Sequence, residues 1–134
     1  MASTLKINTL TGVTTAGSIA VTAEGNSTTT NLQQGLCKAW GNFNQISTQS
    51  LRDSFNLSSI TDGGNGTSSF AVSSSFSNTN VEVTGGSVYV DNNWRFSPRT
   101  RLTATSTIEF QAANSSQTLA DADQNSFNSH GDLA

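Results

Sequence analysis

The sequence predicts an all-β fold, a small antiparallel β-sandwich carrying an extended N-terminal arm and assembled as an oligomer. Three observations lead there. Apolar side chains recur at every second position in short runs, and clusters rich in Gly, Asn and Asp separate those runs. The chain is also too polar for its size to be comfortable alone.

The polarity is specific in kind. Of 134 residues, 34% are hydrophobic and 11% are charged, where an ordinary globular domain carries roughly 25% charge. Disordered chains are also poor in apolar residues, but rich in charge and Pro. Here there is one Pro, and Phe, Val and Ile recur with spacing. The Ser, Thr, Asn, Gln and Gly that fill the chain therefore read as outer strand faces and turns. A small domain of this kind needs a disulfide, a metal or a partner copy. The only cysteine is Cys37, so no intrachain disulfide forms, and oligomerisation is the remedy left. The net charge of −3 argues against a nucleic-acid partner. No run is apolar enough to span a membrane, and no apolar core follows Lys6 as a secretory signal would require. Synthesis in a cytoplasm, without export by that route, is expected.

Residues 1–35 contain no aromatic side chain. Two runs, 4–8 and 18–23, look strand-like. Leu5 and Ile7 alternate with Lys6 and Asn8, and Ile19 and Val21 share a face. Gly12, Gly17 and Gly25 punctuate these runs, and a polar stretch follows at 26–31. The region is too thin to fold alone. It is expected to be a docking arm that adds a strand to another protein through Leu5, Ile7, Ile19 and Val21.

Residues 36–134 are expected to form the sandwich module. One or two helical turns are predicted within 31–38. Trp40 and Phe43 mark a first run, and Phe55, Leu57 and Ser59 a second at 52–60. The cluster Asp62, Gly63, Gly64, Asn65 and Gly66 predicts a turn. Phe70, Val72, Ser74 and Phe76 then share one strand face. Val81 and Val83 precede Gly85 and Gly86, and Val88 and Val90 follow, which predicts a tight hairpin at the two glycines. Residues 101–110 read as one strand, with Leu102, Ala104, Ile108 and Phe110 on one side. The expected core is Trp40, Phe43, Phe55, Phe70, Phe76, Leu102, Ile108 and Phe110.

Few residues suggest chemistry. Asp121, Asp123, Asn125 and Asp132 follow the ligand order of an EF-hand calcium loop, but Ser126 stands where such a loop has Gly and Asp132 where it has Glu. A polar turn into a last strand is the expectation, with no metal and no cofactor. His130 is the only histidine, and no nucleophile motif accompanies it. Trp94, Arg95, Phe96, Arg99 and Arg101 gather half of the basic charge. They read as a ligand site, as a loop capping the sandwich, or as an intersubunit contact rich in aromatics and Arg. The sequons at Asn26, Asn56, Asn65 and Asn114 are what a chain so rich in Ser, Thr and Asn contains by composition. Burial is the default for Cys37.

Four stretches carry a resemblance. They are Lys-Ala-Trp-Gly-Asn-Phe-Asn at 38–44, Arg-Asp-Ser-Phe-Asn-Leu-Ser-Ser-Ile-Thr-Asp-Gly-Gly-Asn-Gly at 52–66, the closing Gly-Asp-Leu-Ala at 131–134, and the opening Met-Ala-Ser-Thr-Leu-Lys-Ile-Asn-Thr-Leu. Together they resemble a module of short fibre-like and virion-surface proteins from bacteriophages of marine bacteria and cyanobacteria. The resemblance implies a trimeric, β-rich, non-catalytic virion component. Long members of that group add shaft or tail-attachment regions, whereas this chain is little more than arm and module, which favours a knob or capsid decoration at the virion surface. The expected partners are further copies of the chain and phage capsid or tail proteins. The alternative is a short tail fibre or receptor-binding tip that recognises a host surface glycan. A cellular carbohydrate-binding module is a more distant reading.

Overall fold

The computed structural model describes residues 4–12, 19–22, 28–88 and 96–134. Two compact units are present, Met1–Leu36 and Cys37–Ala134. Among the described residues the fold is all-β and antiparallel, apart from a single helical turn.

In the first unit, β1 (Ala20–Thr22) pairs with β2 (Thr29–Asn31), Ala20 lying opposite Asn31. The turn α1 (Leu32–Gly35) starts where β2 stops. Asn31 Oδ1 accepts the Gln34 N–H at 3.3 Å, the usual service of an N-cap side chain. The Leu32 N–H donates to the Ile19 carbonyl at 2.8 Å. The run at 4–8 was expected to be a strand and is not. Alternation makes a strand only where a ladder satisfies the backbone, and among the described residues this run is paired with none.

Among its described residues the second unit holds eight strands: β3 (Ala39–Asn44), β4 (Ser50–Phe55), β5 (Leu57–Asp62), β6 (Thr67–Val72), β7 (Glu82–Val88), β8 (Phe96–Ala104), β9 (Thr107–Ala113) and β10 (Gln124–His130). They form two four-stranded sheets, ordered β4-β3-β10-β7 and β5-β6-β9-β8. The inner faces meet through phenylalanines. Phe43 lies edge-on to Phe70 at 4.7 Å and to Phe110 at 4.9 Å, and Phe127 lies 4.8 Å from Phe70. Ala39, Ile108, Ala112 and Ala122 complete the buried centre, with Leu51, Leu57, Ile60 and Leu102 packed around it. This face-to-face packing is that of a β-sandwich.

Period-2 alternation explains which side chains are inside. In β3, Ala39, Gly41 and Phe43 are buried, while Trp40, Asn42 and Asn44 are not. The expectation that Trp40 and Phe43 share the core is therefore wrong: three positions apart on one strand, they face opposite ways. Phe55 was also expected inside and is 53% exposed. The run at 52–60 is two strands, and Asn56 turns the corner between the two sheets in a left-handed conformation, φ 60°. Asn tolerates this conformation better than most residues. Its side chain then pins the corner, donating to the carbonyls of Lys38 and Ser74 and accepting the Ser74 N–H at 2.7 Å.

Other expectations also fail for local reasons. Residues 101–110 are a hairpin, β8 turning into β9 at Thr105 and Ser106, and Ala104 is exposed. Gly85 and Gly86 lie inside β7 rather than at a hairpin. At Gly85 a Cβ would stand 2.8 Å from Thr100 and 2.9 Å from Phe110, so glycine is there to let the opposite sheet approach. Strand β6 ends at Val72, leaving Ser74 outside it, and Phe76 instead bridges to Leu133 in the closing segment.

A buried polar network ties the β9–β10 connection to β3. Gln45, 1% exposed, accepts the Ala122 N–H at 3.2 Å and the Asn125 amide at 3.3 Å, and donates to Ser68 Oγ at 3.0 Å. Replacing Gln45 with Leu strands these groups without water. The expected loss is about 1–3 kcal/mol, read from the midpoint of urea unfolding; an unchanged midpoint would show the network to be dispensable.

Candidate functional site

The proposed docking residues are placed in the open. Leu5, Ile7 and Val21 are exposed, Leu5 to 78%, and Ile19 is half-buried beside the β1–β2 pair. Leu10, which the sequence reading passed over, is exposed as well. None belongs to the buried cluster of phenylalanines and alanines.

The basic group is only partly within view. Trp94, Arg95 and the Phe96 side chain lie outside the described residues. Arg99 and Arg101 stand on β8, opposite Gln111 and Glu109. Thr100 between them points inward and donates to the Val83 carbonyl at 2.7 Å, so the two arginines face outward. Arg101 pairs with Glu109 at 2.9 Å across the strands. This is an exposed pair of a type worth less than about 1 kcal/mol, so Arg101 contributes little to the fold itself. β8 is a sheet edge, but Pro98 and two register shifts blunt it as a template for another strand.

No family model, curated protein or solved structure matches this chain.

The acidic segment is occupied by structural work. Asp121 Oδ1 accepts the Gly66 N–H at 2.6 Å, holding the β5–β6 turn, and Asp123 pairs with Arg52 at 2.7 Å. The Asn125 amide donates to the Ala122 carbonyl at 2.8 Å. Among the described residues no cluster of His, Cys, Asp and Glu is arranged to hold a metal. EDTA is expected to leave the melting temperature unchanged; a marked fall that calcium restores would contradict this assignment. His130 Nδ1 lies 3.3 Å from Glu82 Oε2, its opposite residue across β10 and β7. Cys37 is half-buried, its thiol donating to the Ala39 carbonyl at 3.3 Å.

One surface escaped the sequence reading. Trp40, Asn42, Phe55, Asp53, Ser126, Asn128 and Thr84 all project from the outer face of the β4-β3-β10-β7 sheet. An open groove of about 380 Å³ lies beside them, lined by Thr84, Gly85, Gly86, Ser126, Phe127 and Asn128. The signal was present in the parity of two runs. Small Ala39 and Gly41 alternate with Trp40 and Asn42, and Phe127 alternates with Ser126 and Asn128.

Proposed function

We propose that the chain is a non-catalytic structural protein of a bacteriophage virion, a decoration protein that docks on the capsid through Met1–Leu36 and presents Cys37–Ala134 as a trimeric knob. The observation that carries this reading is the contrast in burial between the two units. Residues 37–134 enclose a phenylalanine core of their own. The first unit instead leaves Leu5, Ile7, Leu10 and Val21 in water. Apolar surface gains about 25 cal/mol per Å² when a partner removes it from water, so these side chains favour an assembled state. A strand pair three residues long is too short to be stable by itself, and its exposed edge offers a ladder to an incoming sheet. A protein held in this way stabilises the shell through contacts that only the assembled particle makes. The resemblance of residues 38–66 and 131–134 to virion-surface modules supports the same reading.

The second reading is a short tail fibre or receptor-binding tip. The aromatic and amide side chains on the outer face of the first sheet favour it, since such side chains suit contact with a host glycan. Imaging the intact particle with the protein labelled separates the two. Label distributed over the capsid lattice is the expected result, label confined to the tail supports the second reading, and an unlabelled particle contradicts both.

A further inference from the structure

We propose that the outer face of the β4-β3-β10-β7 sheet binds a neutral polysaccharide chain, with Trp40 and Phe55 as the stacking platform and the groove at Gly86 as an adjoining subsite. The register sets out the face in two rows. Phe55, Trp40, Asn128 and Thr84 follow one another across the four strands, and beside them run Asp53, Asn42, Ser126 and Gly86. Directly opposite side chains are about 5 Å apart at Cβ, and four strands span about 14 Å, room for more than one sugar ring.

The two rows match what a sugar presents. A pyranose has an apolar C–H face and a rim of hydroxyls. Trp40 and Phe55, opposite each other in the register of β3 and β4, offer apolar surface at which one side remains wet. Around them stand two amides, two hydroxyls and a carboxylate, which between them both donate and accept. Asn42, Ser126 and Asn128 make no side-chain hydrogen bond among the described residues, whereas Asn44, Gln45, Asn56 and Asn125 each fasten the backbone or another side chain. The capacity of this face is directed outward. The missing side chain at Gly86 leaves a shallow, open groove between Thr84 and Ser126.

Charge selects the class of ligand. Neither row contains Lys or Arg, and the cation beside them, Arg52 on β4, is paired with Asp123, so nucleic acid and polyanionic glycans find little counter-charge there. A protein partner would call for a continuous apolar centre, and here the two aromatic rings are surrounded by polar groups. The opposite sheet provides the contrast. Its outer face carries Arg101 paired with Glu109, and no aromatic residue stands in the rows Arg99, Gln111, Thr67 and Arg101, Glu109, Ser69, Thr61. This proposal does not depend on where the protein sits in a particle.

The test uses the full chain in native gels containing hydroxyethylcellulose, a soluble β-1,3-glucan, galactomannan or, as the anionic comparison, dextran sulfate. Two variants accompany it. Phe55→Ala removes an exposed ring, and Gly86→Phe fills the groove at a position where an added Cβ meets nothing within 4 Å. Retardation by at least one neutral polymer is expected, weakened about tenfold or more in each variant at an unchanged melting temperature, the scale of losing one stacked ring or its subsite. Retardation by none of the neutral polymers would overturn the proposal, as would retardation of both variants equal to that of the unaltered chain, or retardation by dextran sulfate alone. Self-association in sedimentation that Phe55→Ala abolishes would assign the face to a second copy of the chain and overturn it too.

Discussion

Replacing Phe43 with Ala is expected to destabilise the second unit by about 3–5 kcal/mol, the range for a fully buried aromatic removed from a packed core. Phe43 is completely enclosed and touches both sheets. Its ring meets Phe70, Phe110 and Phe127, so truncation opens a cavity where the layers are joined. The surrounding strands are hydrogen-bonded on both sides and cannot close that space. The comparison is Phe55→Ala, the same chemical change on the outer face of the neighbouring strand, with an expected loss of less than about 1 kcal/mol. Urea unfolding followed by circular dichroism measures both. Equal losses at the two positions would mean that the alternation assigned to β3 and β4 is wrong.

The second large effect is expected at Gly66. Its φ of +69° is one that an L side chain adopts at a cost of about 1–2 kcal/mol. Space is the larger obstacle. An added Cβ would lie 2.5 Å from both the Ala112 carbonyl and the Ala120 nitrogen, and backbone there has no room to give. Both atoms are in use, joined by the hydrogen bond from the Ala120 N–H to the Ala112 carbonyl at 3.1 Å, and the Ala112 N–H beside them donates to the Gly66 carbonyl at 2.8 Å. Losing these bonds adds about 1 kcal/mol each. Gly66→Ala is thus expected to cost about 3–4 kcal/mol in all. Gly64→Ala isolates the conformational part, because Gly64 has φ +99° but nothing within 4 Å of its Cβ position. If the two variants melt together, the close approach at Gly66 is not what the site requires.

The sequence reading succeeded where one face of a run was apolar throughout. Ile108 and Phe110 stand two apart and are buried as expected, as is Phe70, which shares its face with buried Val72. The turn at 62–66 was legible because Asp, Asn and three glycines have few other uses together, and Asp62 does accept the Gly64 N–H. Errors arose where chemistry and parity disagreed. Trp40 and Phe55 look like core residues by type, yet the small residues beside Trp40 belong to the inside. Gly85 was read as a turn because its reason for being glycine lies across the sandwich, at Phe110, far from it in sequence. The hairpin at Thr105 and Ser106 carries no Gly, Asn or Pro to announce it. The candidate binding face was invisible for the same reason as the errors. It comes from the register of four strands, and no single run contains it.

The central claim is that Met1–Leu36 attaches the protein to the particle and that Cys37–Ala134 folds without it. The direct measurement mixes full-length protein and a chain of residues 37–134 with phage particles lacking the protein, and counts bound copies after sedimentation. Circular dichroism of each free protein is recorded alongside. The full chain is expected to bind to saturation, while the shortened chain keeps its β-sheet spectrum and cooperative melting but does not bind. Equal binding by a folded 37–134 chain would place attachment in the sandwich, and an unfolded 37–134 chain would show that the first unit is part of the core; either result contradicts a docking arm separate from the sandwich.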